Sequence, residues 1–154
     1  MDELKVREIM TTPVITVKPE TTVRELADIL AQNKISGVPV VDGQGRMLGM
    51  VSEADVIVQD ADLHFPYYIQ FLESVIYLQS VHKFEERFRK AIGSKVSEIM
   101  TEEVHSAGPD QTVREVATLM ADRNVNRVPV TENGRLVGIV TRGDIVRAIA
   151  QQKD

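Results

Sequence analysis

Cysteine and tryptophan are missing from this 154-residue chain, and histidine occurs only three times. Without a thiol the chain can form no disulfide, build no thiolate metal site and offer no cysteine nucleophile. His64, His82 and His105 are scattered, with no partner at metal-ligand or triad spacing beside any of them. The stretch "DADLH" gathers Asp60, Asp62 and His64, a weak set for a cation, and no Gly-rich loop followed by Lys is present for nucleotide hydrolysis. The expectation is therefore no metal, no catalytic residue and no enzyme activity. Positive charge is scarce too: 18 Lys and Arg against 23 Asp and Glu leave a net charge of −5. A basic face that binds by neutralising phosphates is not available, so nucleic acid is not an expected partner. The longest apolar stretch, "FPYYIQFLESVIYL", carries Gln70 and Glu73 and is too short to span a bilayer. No charged leader with an apolar centre and a small-residue cleavage site opens the chain, so a cytoplasmic protein with no membrane contact is expected.

What the chain does contain is written twice. A shift of 90 places lays "VREIMTTPV" on "VSEIMTEEV", "PETTVRELADILA" on "PDQTVREVATLMA" and "GVPVV" on "RVPVT". Dropping one residue from the loop "VDGQGRMLG", which corresponds to "TENGRLVG", brings "GMVSEADVI" onto "GIVTRGDIV". Loops tolerate a one-residue difference best.

Both copies imply the same order of elements. "VITV" and "VHSA" suggest a short strand closed by Pro19 or Pro109. Thr22 with Glu25, and Thr112 with Glu115, have capping-box spacing at a helix start. Apolar residues follow at helical spacing: Val23, Leu26, Ala27 and Leu30, then Val113, Val116, Ala117 and Met120. "GVPVV" or "RVPVT" makes a second strand, a Gly-containing turn follows ("DGQG"; "NG", a strong hairpin signal), and "MLGMV" or "LVGIV" makes a third. Ser52 or Thr141 then opens another helix. Each repeat thus reads strand, helix, strand, strand, helix, an α/β class in which the bare face of one sheet must be covered and the other copy is the obvious cover. The boundaries are 1–60 for the first repeat, 61–93 for an insert and 94–154 for the second repeat. The insert holds all seven aromatic residues, three Tyr and four Phe, on two helical patterns, and suits either a cap over sheet edges or an interface.

The repeated hydroxyl and carboxylate, Ser52 with Asp55 and Thr141 with Asp144, admit two readings. A hydroxyl at an N-cap and an acid one turn on satisfy free N–H groups and favour the helix dipole, which is a sufficient structural reason for both. Both pairs nevertheless follow an apolar strand at its carboxyl end, the usual ligand position in open α/β sheets. The helix start offers N–H groups to a phosphate, and a carboxylate can accept hydrogen bonds from both vicinal hydroxyls of a ribose.

On these residues the chain resembles a tandem pair of CBS domains, the regulatory module named after cystathionine β-synthase. The stretches that carry the resemblance are "IMTTPVITVKPETTVRELADIL" with "GVPVVDGQGRMLGMVSEADVI", and "IMTEEVHSAGPDQTVREVATLM" with "RVPVTENGRLVGIVTRGDIV". They cover about three-quarters of the chain and leave the aromatic insert outside. The resemblance implies two repeats packed through their sheets, two clefts between them, and a homodimer of such units. It implies AMP, ADP, ATP or S-adenosylmethionine as ligand, with no required cofactor. Asp55 and Asp144 would then hold ribose hydroxyls, and Ser52 and Thr141 would contact ribose or phosphate. Thr16, Val17, Ser106 and Ala107 would line the adenine pocket, beside Val38, Pro39, Val128 and Pro129. Arg142 and Arg127 would meet a phosphate; the first copy has Glu53 and Gly37 at those places, so the Asp144 cleft is favoured if only one is filled. The function so implied is an adenine-nucleotide-sensing regulator that signals to an unknown partner protein, and the alternative is a constitutive dimerisation scaffold without ligand.

Overall fold

A computed structural model describes residues 4–61 and 94–152; the aromatic insert beyond Ala61, and with it all seven aromatic side chains, lies outside the described residues. The elements are α1 (Val6–Ile9), α2 (Val23–Asn33), β1 (Gly37–Val41), β2 (Met47–Ser52), α3 (Glu53–Ala61), α4 (Val96–Ile99), α5 (Val113–Arg123), β3 (Arg127–Glu132), β4 (Arg135–Thr141) and α6 (Arg142–Gln151). Each repeat therefore combines helices with a short antiparallel strand pair, β1 with β2 and β3 with β4, in the α/β class that the sequence implies.

Local chemistry accounts for most of these boundaries. The N-cap hydroxyls of Thr22 and Thr112 accept hydrogen bonds from the N–H groups of Glu25 and Glu115, both at 3.1 Å. Both helices end on a left-handed residue, Lys34 and Asn124, at φ 54° and 53°. The "NG" signal holds: Asn133 and Gly134 take φ of 55° and 81°, and the turn sets Glu132 against Arg135 and Arg127 against Thr141. In the first repeat the Asp42 carboxylate closes the longer loop instead, accepting from the N–H groups of Gln44 and Arg46 at 2.8 and 3.0 Å.

The first strand of each repeat is shorter than its sequence suggests, a single parallel bridge between Val17 and Val40 and another between Ala107 and Val130. The prolines of "GVPVV" and "RVPVT" explain this. Ala107 donates to the Pro129 carbonyl at 2.9 Å and Thr131 donates back to Ala107 at 2.9 Å. The next rung would need an N–H from Pro129 to the carbonyl of residue 105, and proline has none. Pro39 stops the ladder beside Val17 in the same way.

The chain forms two compact units, and neither is a sequence repeat. One comprises Met1–Thr16, Val41–Gly49 and Glu102–Asp154; the other comprises Val17–Val40 and Met50–Thr101. The leading segment of each repeat is thus built into the unit that holds most of the other repeat. In the first unit Val6 and Arg7 donate their N–H groups to the carbonyls of Gln111 and Pro109 at 2.8 and 3.0 Å, and Val113 donates to Leu4 at 2.8 Å. Val96, Ser97 and Val23 do the same with Thr21, Pro19 and Ser94 in the second unit, at 2.7, 3.0 and 2.8 Å. Thr11 exchanges both backbone hydrogen bonds with Ile139, and Thr101 does so with Met50.

Burial explains why the exchange holds. Val6, fully buried, packs with Ala107, Val113, Val116, Met120, Val128, Val130, Val140 and Ile145. Val96, also fully buried, packs with Val17, Leu26, Leu30, Val38, Val40 and Val51. A buried valine contributes about 1.5–3 kcal/mol, so each leading segment is anchored by its own apolar plug. Leu26, with no exposed surface, is the largest fully buried side chain of the second core. Its replacement by alanine is expected to cost about 2–5 kcal/mol, measurable as a lower urea midpoint; an unchanged midpoint would contradict the packing of α2.

Candidate functional site

Each carboxylate that the sequence singles out sits where a hairpin's second strand turns into a helix. On α6, Thr141 and Asp144 form a complete reciprocal capping box. The Thr141 hydroxyl accepts from the N–H of Asp144 at 3.3 Å, and Asp144 Oδ2 accepts from the N–H of Thr141 at 2.9 Å. Asp144 is buried, its residue only 6% exposed. Burying a carboxylate is costly unless it is hydrogen-bonded and paired, and both conditions are met here. The Thr11 hydroxyl lies 3.3 Å from each carboxylate oxygen, and Arg147 Nη2 forms an ion pair with Oδ1.

Ser52 and Asp55 reproduce part of this arrangement at the start of α3. Asp55 Oδ2 accepts from the Ser52 N–H at 2.8 Å and from its hydroxyl at 3.3 Å. Asp55 is only half-buried. The same backbone tie secures both helix starts: Glu53 donates its N–H to Ser36 at 2.8 Å, as Arg142 does to Asn126 at 3.1 Å.

The remaining candidates divide by unit. Val17, Val38, Pro39, Ser52 and Asp55 fall in the second unit, while Ser106, Ala107, Arg127, Val128, Pro129, Thr141, Arg142 and Asp144 fall in the first. Thr16 belongs to the first unit, apart from its neighbour Val17. Val17 donates its N–H to the Pro39 carbonyl at 3.1 Å, which puts the first-strand residue beside the second strand in each unit. The side chains of Val17, Val38, Ala107 and Val128 point into the two cores, so these positions offer a ligand their backbone only. Arg127 stands across the hairpin from Thr141, is half-buried and already has a partner interaction; Arg142 is exposed, as is Ser106.

Two residues at the Asp144 carboxylate, Thr11 and Arg147, are absent from the sequence-level candidate set. The signal for Thr11 is present, since "IMT" occurs in both copies, but Thr11 and Asp144 lie 133 positions apart and only the segment exchange joins them. The Asp144 centre thus offers a buried carboxylate, a hydroxyl and guanidinium groups at the start of a ten-residue helix. That is a set of acceptors and donors for a polyhydroxyl, anion-bearing small molecule. Among the described residues no three His, Cys, Asp or Glu gather as a metal would need.

A separate apolar hollow of about 240 Å³ lies between α2 and α3, lined by Ala27, Leu30, Ala31, Ile35, Glu53, Val56 and Ile57. Among the described residues no helix is long and apolar enough to cross a membrane.

Comparison with known proteins decides the family. The family model described as the CBS domain matches residues 6–61 and 96–151. The chain belongs to the CBS-domain family. An uncharacterized protein of Methanocaldococcus jannaschii, MJ1426, is 32% identical over 152 residues, which cover 94% of this chain and 90% of that protein. Among solved structures, CBSX2 in complex with AMP is similar at 27% identity and a TM-score of 0.74, covering 96% of this chain and 97% of the other. The CBS domain pair of protein MJ0100, in complex with methylthioadenosine and S-adenosyl-L-methionine, is similar at 27% identity and a TM-score of 0.68, covering 97% and 98%.

Proposed function

We propose that this CBS-domain chain is a non-enzymatic sensor that takes an adenosine-containing ligand at Asp55 and Asp144 and relays its presence to a partner protein. The observation that carries the reading is the buried Asp144 carboxylate at the start of α6, flanked by Thr141 and Thr11. Its two oxygens suit a ribose diol, and the helix start with Arg142 and Arg127 nearby suits a phosphate. Ser52 and Asp55 make the corresponding contact in the other unit. For the ligand at Asp55 the adenine would lie against Val17, beside Val38–Pro39, and for the ligand at Asp144 against Ser106–Ala107, beside Val128–Pro129. AMP, ADP, ATP and S-adenosylmethionine are the ligands proposed, without a further cofactor, in a cytoplasmic protein. A ligand shifts a conformational equilibrium only by its difference in affinity for the two states, so signalling requires the two forms to hold the ribose unequally. Large apolar side chains left exposed on α3 and α6, Ile57, Val146 and Ile149, support a homodimer.

Thermal unfolding with AMP, ATP or S-adenosylmethionine at millimolar concentration tests the reading. At a hundred times Kd a ligand adds about 2.7 kcal/mol of stability, a rise in midpoint of several degrees for a chain of this size. No rise with any of the three would overturn the sensor and leave the ligand-free scaffold, whose size by light scattering would be indifferent to nucleotide.

A further inference from the structure

The two ribose-binding carboxylates are not in the same state, and the difference lies in their unoccupied lone pairs. A carboxylate has about four acceptor directions, two on each oxygen. On Asp144 both oxygens are engaged: Oδ2 accepts from the Thr141 N–H, Oδ1 from Arg147 Nη2, and the Thr11 hydroxyl lies 3.3 Å from each. On Asp55 both contacts, from the Ser52 N–H and hydroxyl, fall on Oδ2. Among the described residues Oδ1 of Asp55 has no partner. The repeat alignment that pairs Asp144 with Asp55 pairs Arg147 with Val58, so the first repeat has no cation to supply at that place.

Arg147 reaches Asp144 from one helical turn further along α6, with 65% of its side chain in solvent. Gly143 leaves room for this path: a Cβ there would stand 3.2 Å from Arg147 Nη1. The guanidinium is held at the carboxylate by one ion pair and is otherwise solvated, an arrangement that can open without disturbing the core.

We infer that Arg147 is a latch on the Asp144 site: it occupies the carboxylate oxygen that a ribose diol needs, so a nucleoside must displace it there, whereas among the described residues nothing occupies Oδ1 of Asp55. This rests on the assignment of both carboxylates to ribose. It makes Arg147 a specificity-determining residue that separates the affinities of the two sites. It also reverses the order of filling expected from Arg142 and Glu53 for any ligand without phosphate.

Adenosine is the probe, because it carries the diol and no anion for Arg142 or Arg127 to attract. The measurement is its Kd by equilibrium dialysis in the full chain carrying Asp55→Asn, which confines ribose binding to Asp144, with and without Arg147→Val. Removing the latch is expected to tighten adenosine roughly twofold to fivefold, the range for releasing a largely solvated ion pair. Arg147→Met, which keeps most of the aliphatic stem, is expected to act alike. In the Asp144→Asn background, Arg147→Val is expected to leave the Kd unchanged. A merely structural arginine would lower thermal stability and loosen binding, the opposite sign. Unchanged or weaker adenosine binding after Arg147→Val overturns the latch. If the wild-type chain binds none of adenosine, AMP, ATP and S-adenosylmethionine, the ribose assignment falls and the latch falls with it. Binding by the wild type that is insensitive to Arg147 removes the latch alone.

Discussion

Gly138→Val is expected to strip the leading segment of the first repeat from the unit that it completes, and to cost about 3 kcal/mol or more. Gly138 is buried in β4, opposite Val130, and Met10 lies directly over it. A Cβ at Gly138 would stand 2.8 Å from Met10 Cγ and 3.2 Å from Met10 Cβ, with the sulfur nearer still. The Met10 terminus could swing away from a single methyl group, but its Cβ is tied to a backbone that exchanges hydrogen bonds with Ile139 through Thr11. A branched side chain therefore pushes the segment itself. Val6, fully buried four residues earlier, is withdrawn with it. Urea unfolding together with limited proteolysis of residues 4–16 checks this: a lower midpoint and early cleavage are expected. Gly143→Ala is the control, because its new Cβ meets the largely exposed guanidinium of Arg147 at 3.2 Å and the Thr141 hydroxyl at an ordinary 3.6 Å, and gains helix propensity, so its effect should be near zero or slightly stabilising. If Gly138→Val unfolds at the wild-type midpoint, the segment exchange is wrong.

Asp144→Ala is expected to lose both stability and ligand. The substitution removes the acceptor for the Thr141 N–H and leaves the Thr11 hydroxyl and the Arg147 guanidinium without their shared anion. A lost cap and lost charge-assisted hydrogen bonds together cost about 2 kcal/mol. Ligand affinity at this site should fall about 30-fold or more, since each hydrogen bond from ribose to a carboxylate is worth about 1.5–3 kcal/mol. Glu115→Ala separates the two effects. Glu115 is exposed, and its carboxylate accepts from Gln111 Nε2 at 3.0 Å. Calorimetric titration of both variants with AMP should find Glu115→Ala near the wild type; equal losses would reduce Asp144 to a helix cap.

Much of this architecture was legible in the order of residues. The duplicated "IMT", "VPV" and hydroxyl-x-x-Asp patterns announced two like repeats, and "NG" announced the tight turn of the second hairpin. The caps were legible unevenly. Thr22 and Thr112 each bind the N–H three residues on, yet the complete box that spacing suggested there forms at Thr141 and Asp144 instead. Glu115 turns to Gln111, because an exposed carboxylate chooses among several nearby donors at similar free energy. The first strands were overestimated because an apolar alternation says nothing about the partner strand, and the partner carries a proline where the second rung needs an N–H.

Sequence alone determined the local matters: repeat number, the helical faces, the turn chemistry, and which acids begin a helix at the end of a strand. Those depend on neighbours within a few positions, where periodicity and capping act. Tertiary structure alone decided that each leading segment completes the unit built mainly from the other repeat, and that Thr11 and Arg147 engage the carboxylate of Asp144 while Oδ1 of Asp55 stays open among the described residues. The two copies repeat the same local pattern around Val6 and Val96, so local preference favours neither docking arrangement for either valine. Only the burial of each valine in a formed core, and the sharing of one carboxylate by donors far apart along the chain, distinguishes them.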